Sequence, residues 1–85
     1  MKIKLAKSFD KDFKKLTPNQ KNKFKQRKNL FIIDEFSSIL NNHSLRGNYK
    51  GYRSINITGD LRAIYKYSSN IIVFVAINSH SNLYK

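Results

Sequence analysis

Thr17-Pro18-Asn19-Gln20 constrains the fold of this chain more than any other four residues. A threonine N-cap, a proline at the first helical position and a glutamine three residues after the cap make a capping box. One helix must start here, and whatever precedes it must stop. Upstream, Phe9, Phe13 and Leu16 recur at i, i+4, i+7 and form one narrow apolar stripe. Ser8 is the expected N-cap of that first helix, with Asp10 and Asp12 near its positive end. The second helix is predicted to run to about Phe36, burying Phe24, Phe31 and either Leu30 or Ile32. Its polar face carries Lys21, Lys23, Lys25, Arg27 and Lys28, and the pair reads as an αα-hairpin.

Strand patterns surround this hairpin. Residues 2–6 alternate, with Ile3 and Leu5 between lysines, as a short half-buried strand does. From Ser37 to Asn48 periodicity fails and Ser, Asn and Gly accumulate, which predicts a loop. Lys50–Ile57 then ends at the turn Thr58-Gly59-Asp60, and Leu61–Tyr67 ends at Ser68-Ser69-Asn70. Ile71–Ile77 is uniformly apolar, as a central strand covered on both faces would be. The expected fold class is α+β in the order β-α-α-β-β-β. An antiparallel sheet of about four strands, with the first strand added at an edge, packs one face on the helical hairpin. The other face stays concave and partly open. Residues 1–85 carry no linker or repeat and read as a single domain.

Charge sets the class of partner. Seventeen Lys+Arg against five Asp+Glu give a net charge of +12, a field that favours polyanions. Eleven of the seventeen fall within residues 2–28, whereas Asp60 is the only carboxylate after Glu35. With no cysteine, disulfides, zinc–thiolate sites and cysteine nucleophiles are excluded together. No apolar run approaches the roughly 20 residues that span a bilayer, and the N-terminal residues lack a signal-peptide pattern. The expectation is a cytoplasmic protein without a membrane partner.

The inventory of reactive groups is small. His43 and His80 lie far apart in sequence with no acidic neighbour, so no metal site is expected. Gly47, Gly51 and Gly59 do not make a phosphate loop, and no cofactor is expected. What remains is a set of polar residues in loops and strands: His43, Arg46, Arg53, Asn56, Asp60, Arg62, His80 and Tyr84. Cutting RNA without metal needs a base for the 2′-OH proton, a cation for the developing phosphorane charge and an acid for the leaving 5′-oxygen. Histidine can fill either proton-transfer role near neutral pH, and arginine's planar fork suits the phosphate. Taken singly, each residue has an ordinary structural explanation: a loop histidine is usually a surface residue, and an aspartate after glycine usually forms the turn.

Three segments change that reading when taken together. They are His43-Ser-Leu-Arg-Gly47, Tyr49-Lys-Gly-Tyr-Arg-Ser-Ile-Asn-Ile-Thr-Gly-Asp-Leu-Arg-Ala-Ile-Tyr65 and Asn78-Ser-His-Ser-Asn-Leu-Tyr84. In this order they resemble the RelE/YafQ superfamily of type II toxins, the RelE/StbE-type mRNA interferases, and the helix pair before them occupies the family's place. The resemblance implies a RelE/ParE-like, microbial-ribonuclease-like fold and cleavage of mRNA in the ribosomal A site. It also implies neutralisation by a cognate antitoxin, which on charge grounds should be acidic and should cross the open sheet face. His43, Asp60 and His80 match catalytic residues of YafQ-type toxins. Tyr84 stands where that branch ends in phenylalanine and RelE proper in tyrosine. Arg62 matches the transition-state arginine of RelE proper, and Arg53 falls near a RelE basic residue.

Two positions depart from the YafQ pattern: Asn56 replaces a strand histidine and Leu61 a tryptophan. Asparagine hydrogen-bonds but exchanges no proton near neutral pH, so that duty must pass to His43 or His80. The expected catalytic set is therefore His43, Asp60, Arg62, His80 and Tyr84, with Arg46, Lys50, Arg53 and Asn56 contacting RNA. His80 or His43 serves as base or acid, and Arg62 and Arg53 hold the scissile phosphate. Asp60 orients a histidine or the substrate, and Tyr84 stacks on a base or assists proton transfer. Two other readings share the fold: a ParE-like inhibitor of DNA gyrase, and an inactive relative that only binds RNA or the ribosome.

Overall fold

The break between the first two helices forms as its residues dictate. In the computed structural model, which describes residues 1–83, α1 spans Lys7–Phe13 and α2 spans Pro18–Ile33. Thr17 Oγ1 accepts from the Gln20 amide at 3.2 Å, and Gln20 Oε1 accepts from the Thr17 amide at 2.9 Å. This reciprocal pair satisfies donors that the helix itself leaves open.

The start of α1 differs from expectation. Ala6 holds the cap position without a side-chain bond, while Ser8 lies inside the helix and donates to the Val75 carbonyl at 2.6 Å. The cause is the short path from sheet to helix: the Ala6 amide still donates to the Phe74 carbonyl at 2.9 Å, so the chain turns helical at once. Asp12 likewise serves the sheet, accepting from the Ile77 amide at 3.1 Å. At the other end, α2 stops at Ile33 rather than near Phe36, because Asp34 is extended (φ −149°, ψ 91°). Phe36 is 60% exposed, and of the two alternatives Leu30 packs on the core while Ile32 faces out.

Five strands form one sheet: β1 Lys2–Leu5, β2 His43–Ser44, β3 Arg53–Asn56, β4 Leu61–Ser68 and β5 Ile71–Ser79, in the order β1-β5-β4-β3-β2. β1 runs parallel to β5 at one edge, and every other pairing is antiparallel. The two-residue β2 arises inside the expected loop, pairing His43 with Ser54 and Ser44 with Arg53. β3 starts at Arg53 rather than Lys50, because a 3₁₀ turn over Gly47–Tyr49 and a left-handed Gly51 (φ 92°) hold the preceding residues off the ladder. A short α3, His80–Leu83, closes the described chain. No described helix is long and apolar enough to cross a membrane.

β5 is central but not covered on both faces. Ile72, Phe74 and Ile77 are buried, while Val73, Val75 and Ala76 are only half-buried. The register steps from Ile64↔Ala76 to Tyr65↔Phe74, which leaves Val75 as an extra residue and shifts the buried phase of the strand. Helices cover one face only. There Phe9, Phe24, Phe31, Tyr65 and Phe74 pack ring to ring, with centroids 4.9 Å (Phe31–Tyr65) to 5.9 Å (Phe9–Phe74) apart. These contacts tie α1, α2, β4 and β5 into one core.

Residues opposite each other in a ladder share a face, so the register also defines the second face. Arg53, Ile55, Ala63 and Tyr65 point to the helices. His43, Ser54, Asn56, Arg62, Ile64, Lys66 and Asn78 point the other way. Ser54 and Ile64 are fully buried, so the middle of that face is itself closed to solvent.

Candidate functional site

The site grows from one row across the sheet. Asn56 pairs with Arg62, and Arg62 pairs with Asn78, which puts three polar side chains side by side on the face away from the helices. Next to this row the β3–β4 turn is locked by Thr58. Its Oγ1 accepts from the Leu61 amide at 3.0 Å and the Asp60 amide at 3.3 Å, while Ile57 and Leu61 close the hairpin at 2.9 Å. Arg62 folds back over this turn, and its Nη1 donates to the Thr58 and Gly59 carbonyls, each at 3.0 Å. The guanidinium is thus held in place by backbone rather than by a carboxylate.

His80 follows directly where β5 ends. Its amide donates to the Asp60 carbonyl at 2.9 Å, which makes the turn and the start of α3 immediate neighbours. Asp60 and His80, 20 residues apart in sequence, are therefore main-chain neighbours next to the Asn56–Arg62–Asn78 row.

His43 approaches from the opposite edge, paired with Ser54 and two residues along β3 from Asn56, about 7 Å of strand. Its Nδ1 lies 2.9 Å from the Asn41 carbonyl. A carbonyl only accepts, so Nδ1 carries the hydrogen, and Nε2 of the neutral ring presents a lone pair. Asn41 is left-handed (φ 45°, ψ 47°), a conformation asparagine tolerates better than most residues. The two histidines flank the row from opposite sides: β2 and β5 are three strand spacings apart, on the order of 14 Å, and His80 lies a further four residues along from Ala76, the β5 position in register with His43.

Two buried atoms have no hydrogen-bond partner among the described residues: Ser54 Oγ and Asn56 Oδ1. Each such group costs about 1–3 kcal/mol when left unmet, and both lie on the face of Arg62 and His43. Sequence reasoning named Asn56 and missed Ser54. The period of two in Arg53-Ser54-Ile55-Asn56 puts Ser54 on the same face as Asn56, but its pairing with His43 comes from β2.

The remaining expected residues divide. Arg53 lies on the helix face, away from Arg62; its Nε donates to Asn42 Oδ1 at 2.8 Å and its guanidinium carbon is 5.3 Å from the centre of the Phe36 ring. Arg46 and Lys50 are exposed on the segment around the Gly47–Tyr49 turn, outside the central row. Tyr84 lies outside the described residues. No group of three or more His, Cys, Asp or Glu able to hold a metal occurs among the described residues.

Two clefts border the Thr58–Asp60 turn. One of ≈ 370 Å³ is lined by Asp12, Lys15, Gln20, Asp60, Asn78 and Asn82, among others. The second, of ≈ 380 Å³, runs along the edge of β3 beyond β2 and is lined by Lys23, Arg27, Asn56, Thr58 and Gly59 together with Ile39 and Ile57. Lys15, Lys23 and Arg27 thus bring the basic hairpin up to the turn, a setting that draws in an anionic chain.

The fold is that of the RelE/YafQ-type toxins, whose solved structures it follows closely. The YafQ structure from E. coli strain BL21(DE3) superposes with a TM-score of 0.83 at 26% identity, covering 98% of this chain and 97% of that one. YafQ from the E. coli DinJ–YafQ toxin–antitoxin complex gives 0.79 at 28% identity, covering 98% and 96%. A YoeB/ParE toxin from Agrobacterium tumefaciens shares the fold, with a TM-score of 0.77 at 20% identity over 94% and 99%. No curated protein matches the sequence. Residues 1–85 match the family described as the bacterial toxin of type II toxin–antitoxin system, YafQ, and the chain belongs to that family.

Proposed function

We propose that this toxin is a metal-independent endoribonuclease that cuts mRNA in the ribosomal A site and so halts translation. The observation that carries the reading is the assembly of Asp60, Arg62 and His80 at one corner of the sheet, with the lone pair of His43 Nε2 across the row. In this scheme His43 Nε2 takes the 2′-OH proton, and the freed oxygen attacks the adjacent phosphorus. Arg62 neutralises the charge that builds on the phosphorane, using the part of its fork not spent on the turn carbonyls. His80 protonates the departing 5′-oxygen, and Asp60 beside it orients the imidazole. Asn56, beside Arg62 in the row, donates its side-chain amide to the sugar-phosphate. A positioned acid or base contributes about 10²–10⁴ each, so loss of either histidine is severe. Tyr84 is assigned to stacking on a base, and Arg46 and Lys50 to contacts with RNA outside the row.

The basic hairpin holds ribosomal RNA phosphates, which places the toxin's work in the cytoplasm. YafQ of E. coli is seen bound to DinJ. By analogy, and because this chain carries +12, its neutralising partner is an acidic antitoxin that lies over the face bearing Arg62.

The test is chemical. Purified toxin is incubated with ribosomes halted on a defined mRNA, and the ends are analysed. The proposal requires cuts within the A-site codon that leave a 2′,3′-cyclic phosphate, the product of 2′-OH attack. A 3′-hydroxyl product would rule that attack out, and intact mRNA would rule out the activity.

A further inference from the structure

β2 is too short to hold a catalytic side chain by its own ladder, since it consists of two residues with two register partners. The residue before it is anchored far more firmly. Asn42 Nδ2 donates to the Glu35 carbonyl at 3.0 Å and to Tyr65 Oη at 2.7 Å, while Asn42 Oδ1 accepts from Arg53 Nε at 2.8 Å. Tyr65 Oη in turn donates to Glu35 Oε2 at 2.8 Å, and Tyr67 Oη bonds the same carboxylate oxygen. Tyr65 is fully buried, its ring 4.9 Å from that of Phe31. Desolvation by this burial drives its phenol well above the ordinary tyrosine range, so it remains a donor to Glu35.

We propose that this network is a positioning device for His43, and that Arg53 is one of its positioning residues rather than an RNA contact; the inference rests on reading His43 as the base. The mechanical link is the peptide plane between Asn41 and Asn42. That plane carries the carbonyl that holds His43 Nδ1–H. With the Asn42 side chain fixed at three points, the plane cannot swing, Asn41 is kept left-handed and the imidazole is locked with Nε2 as acceptor. Arg53 supplies one of the three points from the helix face, its cation covering Phe36 instead of facing the Asn56–Arg62–Asn78 row.

Two measurements on the full chain test this. Long-range ¹H–¹⁵N spectra of the neutral imidazoles should show His43 as the Nδ1–H tautomer in wild type. In Asn42→Ala it should shift toward Nε2–H, and partly so in Tyr65→Phe, which keeps the ring and loses only the hydroxyl. An unchanged His43 tautomer in folded Asn42→Ala overturns the proposal. In cleavage assays Arg53→Ala should lower kcat by about 10- to 100-fold with KM and salt dependence unchanged. Arg53→Gln, which can still donate to Asn42 without a charge, should recover most of that loss. A raised KM at unchanged kcat in both variants, with the salt slope reduced by about one, would make Arg53 a phosphate contact and overturn the assignment. The spectra need no RNA: the expected tautomer shift in a chain that cuts no RNA would refute the ribonuclease and still support the device.

Discussion

Replacing Arg62 by lysine separates its two duties, because lysine keeps the charge and loses the fork. Nη1 makes two 3.0 Å bonds to the Thr58 and Gly59 carbonyls. A hydrogen bond to a charged group contributes about 1.5–3 kcal/mol, less at a half-exposed side chain, and an ammonium at the same site can replace one bond of the two. The expected loss of stability is about 1–2 kcal/mol, equivalent to a fall in Tm of about 4–16 °C for a domain of this size. Domains of this length hold about 4–13 kcal/mol, so even the weakest case leaves roughly 30 folded molecules for each unfolded one. Cleavage should fall far more, by about 10²–10³, since a point charge cannot track the phosphorane as a planar fork does. Thermal unfolding and single-turnover cleavage on the same preparation decide the matter. Wild-type cleavage with a lowered Tm would reduce Arg62 to a turn clamp. Lost cleavage with an unchanged Tm would refute the clamp.

Phe74→Ala removes a fully buried ring shared by both helices and should cost about 3–5 kcal/mol in urea denaturation. Thr17→Ala breaks the capping box at a cost of about 0.5–2 kcal/mol and should leave the cleavage rate of folded protein unchanged. Lys23→Ala with Arg27→Ala should weaken RNA association and lower the slope of log K against log salt by about two units. The raised phenols of Tyr65 and Tyr67 stabilise the fold fully below the ordinary tyrosine value of about 10. That contribution is lost as pH climbs above it, so alkaline denaturation monitored by tyrosinate absorbance should be blunted in Tyr65→Phe.

What was legible in the sequence was what neighbouring residues decide among themselves. The capping box formed because Thr17, Pro18 and Gln20 need no distant partner, and the hairpin turn formed because Thr58 caps its own next residues. Ser8 misled because its best acceptor, the Val75 carbonyl, lies 67 positions away. The same holds for β2: His43 and Ser44 have no strand signal of their own and pair only because β3 offers an edge. The family resemblance named His43, Asp60, Arg62 and His80, and the structure gathers Asp60, Arg62 and His80 at one corner with His43 across the row. It could not reveal that Arg53 and Arg62 take opposite faces, which follows from the Arg53↔Tyr65 and Asn56↔Arg62 register. Nor could it reveal the unmet Ser54 hydroxyl, whose burial depends on the closed middle of the sheet.

The central claim is tested most directly in a bacterium by brief induction of wild type beside His80→Ala and Arg62→Ala, with mRNA 5′ ends mapped over minutes. In-frame cuts positioned on codons, present in wild type and gone from both variants, are the predicted result. Growth arrest with intact mRNA, or equal cutting by the variants, would contradict the account.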